Sequence, residues 1–158
     1  MIPFSSERKR MTVAYGLPAD WTSTSRSAED MLRAQQNQFN TEFVRVVVKG
    51  APEYVIPLCT SELDQAAEAV EFDGEGSNGG EHLEQVVSNA IARNSMKPLT
   101  IAYRDFAKEE FDELMATNEN FETEESRKVI ESQLTLVATF GLEDPLREGV
   151  QEAYMKLF

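Results

Sequence analysis

Three lysines stand where alternating apolar segments begin or end. Lys9 precedes Met11–Tyr15, Lys49 closes Glu42–Lys49, and Lys97 precedes Leu99–Tyr103. If successive strands pair antiparallel, the start of one lies beside the end of the next, and the three ammonium groups gather at one edge of a sheet. Strand side chains alternate with period two. Lys9 shares parity with Met11 and Val13, Lys49 with Phe43 and Val47, and Lys97 with Leu99 and Ile101. The three can therefore share one face as well as one edge. An apolar sheet face ending in cations suits a nucleotide, with a slot for the base and ammonium groups for the phosphates. The same pattern also serves as solubilising edge protection, and the spacing alone leaves both readings open.

Other reactive residues are sparse. Cys59 is the only cysteine and His82 the only histidine. One cysteine excludes an intramolecular disulfide and fits a reducing compartment. No zinc spacing can be written, and no metal site or catalytic constellation is expected. The paired carboxylates Glu109-Glu110 and Glu124-Glu125 are expected to be solvated. Residues 72–81, FDGEGSNGGE, hold four of the eight glycines and read as a flexible acidic loop. Asp73, Glu75 and Glu81 would repel a phosphate there, and neither common glycine-rich phosphate motif is matched.

The elements that must position these residues fit one domain, since 158 residues suffice for a core without staples. The net charge of −13 is uneven: residues 1–60 carry seven basic and six acidic side chains, residues 61–158 eight and 22. So acidic a surface disfavours nucleic acid and anionic membranes. Arg8-Lys9-Arg10 is a local exception: such a cluster can bind an anion, although a solvated turn is the more common use of three isolated basic residues. No apolar run approaches the ~18–20 residues of a membrane span, and the start MIPFSSERKR lacks the apolar core of a signal peptide. Strands are expected at Met11–Tyr15, Glu42–Lys49, Leu99–Tyr103 and Leu134–Phe140. Apolar stripes place helices over 81–93, through Leu83, Val86, Val87, Ala90 and Ile91, and over 106–116 with Asp105 as N-cap. Two more follow Ser27 and Asp30, and carry Leu146, Val150, Tyr154 and Leu157. Strands interleaved irregularly with helices give an α+β fold, an antiparallel β-sheet flanked by helices.

Three stretches add specificity. Pro3-Phe4-Ser5-Ser6-Glu7-Arg8-Lys9-Arg10-Met11, Lys49-Gly50-Ala51-Pro52-Glu53 and Asp144-Pro145-Leu146-Arg147 occur in that order. They resemble the PFxSxRKRM, KGAPE and DPxR signatures of P-type ATPases. Cys59 stands ten residues beyond Lys49, and Ala102-Tyr103-Arg104-Asp105 is similar to a strand end of the same family. The segment 141–153 is most similar to calcium-transporting members of the plasma-membrane type. The resemblance implies an ATP-binding module, the cytoplasmic nucleotide-binding domain of an integral membrane pump. Phe4 would stack on adenine, and Lys9, Lys49, Gly50, Ala51, Lys97 and Leu99 would line the nucleotide site. Asp144, Pro145 and Arg147 would form the hinge to the phosphorylation domain.

The domain would span 1–142, with an insertion at 16–41 that includes Trp21, and 143–158 would be the hinge and first helix of the next domain. Lys97 departs from the family, which usually has arginine there; lysine keeps the charge but loses the planar fork. Neither Asp-Lys-Thr-Gly nor Thr-Gly-Asp-Gly-Val-Asn-Asp occurs in the chain, so the family's phosphorylated aspartate and magnesium motif are absent from it. The expectation is a piece of a pump that binds ATP, as magnesium ATP in the intact protein, without hydrolysing it. Its partners would be the phosphorylation and actuator domains, with no direct membrane contact. A domain of the same scaffold that binds proteins and no nucleotide is the alternative.

Overall fold

The computed structural model describes residues 1–18, 41–71, 89, 91, 96–143 and 149–156. The expected insertion apart from its ends, Trp21, the helix after Ser27, the whole glycine-rich loop 72–81, the helix over 81–93 apart from Asn89 and Ile91, and Asp144, Pro145 and Arg147 lie outside them. Six strands form one sheet: β1 (Arg10–Pro18), β2 (Thr41–Gly50), β3 (Cys59–Leu63), β4 (Ala69–Glu71), β5 (Lys97–Ala107) and β6 (Leu134–Leu142). Their order across the sheet is β1-β2-β5-β6-β3-β4. All pairings are antiparallel except β3 with β6, which is parallel. The described helices are α1 (Pro52–Val55), α2 (Lys108–Thr117), α3 (Glu124–Arg127) and α4 (Val150–Met155). This is the α+β fold expected from the sequence, with one parallel pair added. Gly16, Leu17 and Pro18 continue β1, and Thr41 opens β2.

Alternation sorts the central strands. Val44, Val46 and Val48 of β2, with Ala102 and Phe106 of β5, are buried on one face. Phe111 of α2, Phe121, Ile130, Leu134 and Val55 close over them. Phe111 sits between Phe106 and Phe121, with ring centroids 6.0 and 5.7 Å away in tilted geometries, the arrangement that aromatic quadrupoles favour. The opposite face carries the odd-numbered residues Met11, Val13, Lys49, Val47, Ile101 and Tyr103, all half-buried or exposed. Lys49 and Met11 are opposite one another in the β1–β2 register, and Lys49 faces Ile101 across β2–β5.

Two local expectations are corrected. Asp105 does not cap α2: it lies inside β5, where its carboxylate takes both arms of Arg45 at 2.7 and 2.6 Å. A bidentate guanidinium pair across neighbouring strands outcompetes a cap, and α2 starts after Ala107 with no side-chain cap. Nor are all three residues of Arg8-Lys9-Arg10 solvated: Lys9 is exposed, but Arg8 is 9% exposed and both arginines bind a buried carboxylate.

Candidate nucleotide site

Three segments meet at the end of the β1–β2 pair. The chain enters through Phe4, turns over residues 6–8 and starts β1 at Arg10. β2 ends at Gly50, and Pro52 opens α1 at its first position, where a missing N–H costs nothing. Close packing requires the glycine at position 50. A Cβ there would lie 2.4 Å from the Lys9 carbonyl oxygen and 2.7 Å from the Arg10 Cβ. The bare backbone of Gly50 lets β1 close onto β2, and the Ala51 N–H then donates to the Lys9 carbonyl at 3.1 Å. The sequence placed Gly50 in the nucleotide site; what requires the missing Cβ is the chain's own neighbouring strand.

A cavity of about 270 Å3 opens here, lined by Phe4, Lys9, Met11, Lys49, Gly50, Ala51, Pro98 and Leu99. Its size is near the lower end for ligand clefts, ~300 Å3. That suits a flat base with the remainder of the ligand outside. Phe4 is 58% exposed, so its ring is an available surface. Lys9 and Lys49 are exposed, and among the described residues neither ammonium has an ion-pair partner. The arrangement offers an apolar slot with two cations at its mouth.

The structure thus brings together Phe4, Lys9, Lys49, Gly50, Ala51 and Leu99. It does not bring in Lys97, which lies two residues before Leu99 on β5, opposite Leu142, outside the lining. Met11 and Pro98 line the cavity and were not singled out from the sequence; the parity of Met11 with Lys9 was the available signal.

Sequence reasoning also missed Glu131. It is 1% exposed and accepts from the Arg8 guanidinium, from Arg10 Nε at 3.0 Å, and from the Thr12 hydroxyl. Burial pushes its carboxyl pKa up, but the hydrogen bonds from Arg8 and Thr12 and the charges of Arg10 and Arg8 outweigh burial and hold it below the ordinary value. Glu124, expected to be solvated, takes Arg8 and Arg10 at 2.7 Å each. Burial pushes the Cys59 thiol up to about 12, which disfavours a thiolate, and it donates weakly to the Val55 carbonyl at 3.4 Å.

The sequence profile described as "P-type ATPase, cytoplasmic domain N" matches residues 1–149. The chain belongs to this family. It is 31% identical over 112 residues to plasma membrane calcium-transporting ATPase 4 of Bos taurus, covering 71% of the chain and 8% of that protein. It is 28% identical over 153 residues to calcium-transporting ATPase PAT1 of Dictyostelium discoideum, covering 97% of the chain and 10% of that protein. With calcium-transporting ATPase 10, plasma membrane-type, of Arabidopsis thaliana, identity is 29% over 153 residues, covering 97% and 11%. The chain therefore spans about a tenth of the length of these curated relatives. Among the described residues no helix is long and apolar enough to cross a membrane.

Proposed function

We propose that this domain binds ATP in the cavity between Phe4, Lys9 and Lys49, as the nucleotide-binding module of a P-type, calcium-transporting ATPase. One observation carries the reading: an exposed aromatic ring and two ammonium groups, unpaired among the described residues, surround a base-sized slot in a chain of this family. Adenine stacks on Phe4, where a flat ring supplies a dispersion surface. Lys9 and Lys49 make charge-assisted hydrogen bonds to the phosphates. Leu99, Met11 and Pro98 wall the slot, and Ala51 and Gly50 form its floor. Lys97, on the same strand but outside the slot, is at most a contact for a phosphate reaching along β5.

Magnesium accompanies ATP in the family's reaction. Among the described residues no cluster of three His, Cys, Asp or Glu groups could hold a metal ion. The 158 residues lack the Asp-Lys-Thr-Gly sequence, so this domain presents the nucleotide to a phosphorylation domain and, with the actuator domain, belongs to the cytoplasmic part of the pump. The last strand ends at Leu142, which supports a boundary there, with 143–158 passing through Asp144, Pro145 and Arg147 into the neighbouring domain. Displacement of a fluorescent trinitrophenyl-ATP from the chain by ATP tests the reading. Saturable binding reversed by ATP is expected; its absence would favour a scaffold that binds proteins alone.

A further inference from the structure

We infer that Glu131 is a positioning residue for Lys9: by gripping the arginines on either side, it fixes the backbone that carries the ammonium to the cavity. This inference rests on the nucleotide reading for its consequence, though not for its geometry.

Arg8 and Arg10 flank Lys9 and are both drawn to one buried carboxylate on the core side of the sheet. Lys9 lies between them with φ +52°, in the left-handed region that residues with a Cβ rarely adopt. Such a conformation is strained and persists only where the surroundings over-determine it. Three restraints do so here. The Lys9 N–H donates to the Ser5 carbonyl at 2.9 Å, its carbonyl accepts from Ala51, and its neighbours are anchored by Glu131. The first two bonds tie Lys9 to nearby backbone on either side. The third adds a tie from the segment before β6, through Glu131 beside the buried Ile130. The consequence is a division of faces: Arg8 and Arg10 point to the core-side acid, while Lys9 joins Met11 and Lys49 at the opposite face.

A carboxylate more than 120 residues away in sequence thereby sets where a phosphate-binding cation stands. Glu131 does not line the cavity, so its effect on a ligand must pass through Lys9.

Two readouts test this on the 158-residue chain, with circular dichroism verifying the fold of each variant. The first needs no ligand. Hydrogen exchange of the Ala51 amide, bonded to the Lys9 carbonyl, is expected to quicken about tenfold or more in Glu131→Gln while Val46 and Val48 amides stay slow. Equal acceleration everywhere, or none at Ala51, would overturn the inference. The second is a double-mutant cycle read by displacement of trinitrophenyl-ATP with ATP. Lys9→Ala and Glu131→Gln should each weaken ATP, and the double variant should be no weaker than Lys9→Ala alone, because coupled groups are non-additive. Effects that multiply would mean that Glu131 acts elsewhere. If Glu131→Gln does not fold, Glu131→Asp, which keeps the charge and shortens the reach, is read in the same two ways. A wild-type chain that binds no ATP would overturn the nucleotide reading, while the exchange measurement would still decide the positioning.

Discussion

Lys49 and Lys9 contribute differently to the cavity they share. Lys49 ends a regular strand and is exposed, so its backbone is indifferent to its side chain. Truncation removes a charge-assisted contact and opens no core void. Lys49→Ala should weaken ATP by roughly 1.5–3 kcal/mol, about ten- to a hundredfold, with an unchanged urea midpoint. Titration with ATP beside a denaturation curve checks both halves. Gly50 is the reverse case. A methyl there meets the Lys9 carbonyl at 2.4 Å, backbone against backbone, and one strand must move. Gly50→Ala should cost about 1–3 kcal/mol of stability and weaken ATP as well, since the displaced strand carries Lys9. An alanine variant of wild-type stability would mean that the β1–β2 closure is looser than the geometry states.

At the scale of elements, the acid between Ile130 and Leu134 ties the start of β1 to the start of β6. Its carboxyl pKa is held below the ordinary 4.5 of the unfolded chain. A lowered folded-state value means that the contribution is fully present above the unfolded pKa and is lost as pH falls through the folded one. The stability difference between wild type and Glu131→Gln should thus be constant from about pH 7 down to 5 and shrink below ~4.5. Urea midpoints of both proteins across that range measure it; a difference growing with acid would refute the assignment. The central strands were legible because Val44, Val46 and Val48 alternate with a second face of Phe43, Arg45, Val47 and Lys49, and because Leu134–Phe140 is apolar and threonine-rich. β3 and β4 were not. Cys59–Leu63 is short and Ala69–Glu71 is fully exposed, so neither leaves a periodic trace. Asp105 looked like a cap because local sequence cannot show Arg45 arriving from the next strand. Glu131 left no signal at all, since a single acid in the mixed stretch 127–134 acquires meaning only from the arginines that a distant segment brings. The cavity was more legible than its support: parity placed Lys9 and Lys49 on one face, whereas the buried acid behind Lys9 depends on tertiary contacts.

At the scale of the molecule, α4 follows the last described strand. Val150, Tyr154 and Met155 are exposed, although Val150 and Tyr154 belong to the apolar stripe expected of a helix that packs on something. At six residues it is far below the ~12–15 that sustain an isolated helix in water. Amides of Val150–Met155 should exchange much faster than those of Val44–Val48 in dilute monomer. Strong protection there would place the helix in this domain's own core and move the boundary beyond Leu142. The charge is also divided at this scale, because the chain is −13 overall while its cavity presents two lysines. An anion that binds must therefore do so at a particular place, and that place is the central claim. The most direct test is an amide chemical-shift titration of the labelled chain with ATP. The account predicts saturable shifts at Phe4, Lys9, Met11, Lys49, Gly50, Ala51 and Leu99, with α2 and β4 unmoved. No shifts, or shifts centred on the separate cavity between Ile2, Phe111 and Phe121, would contradict it.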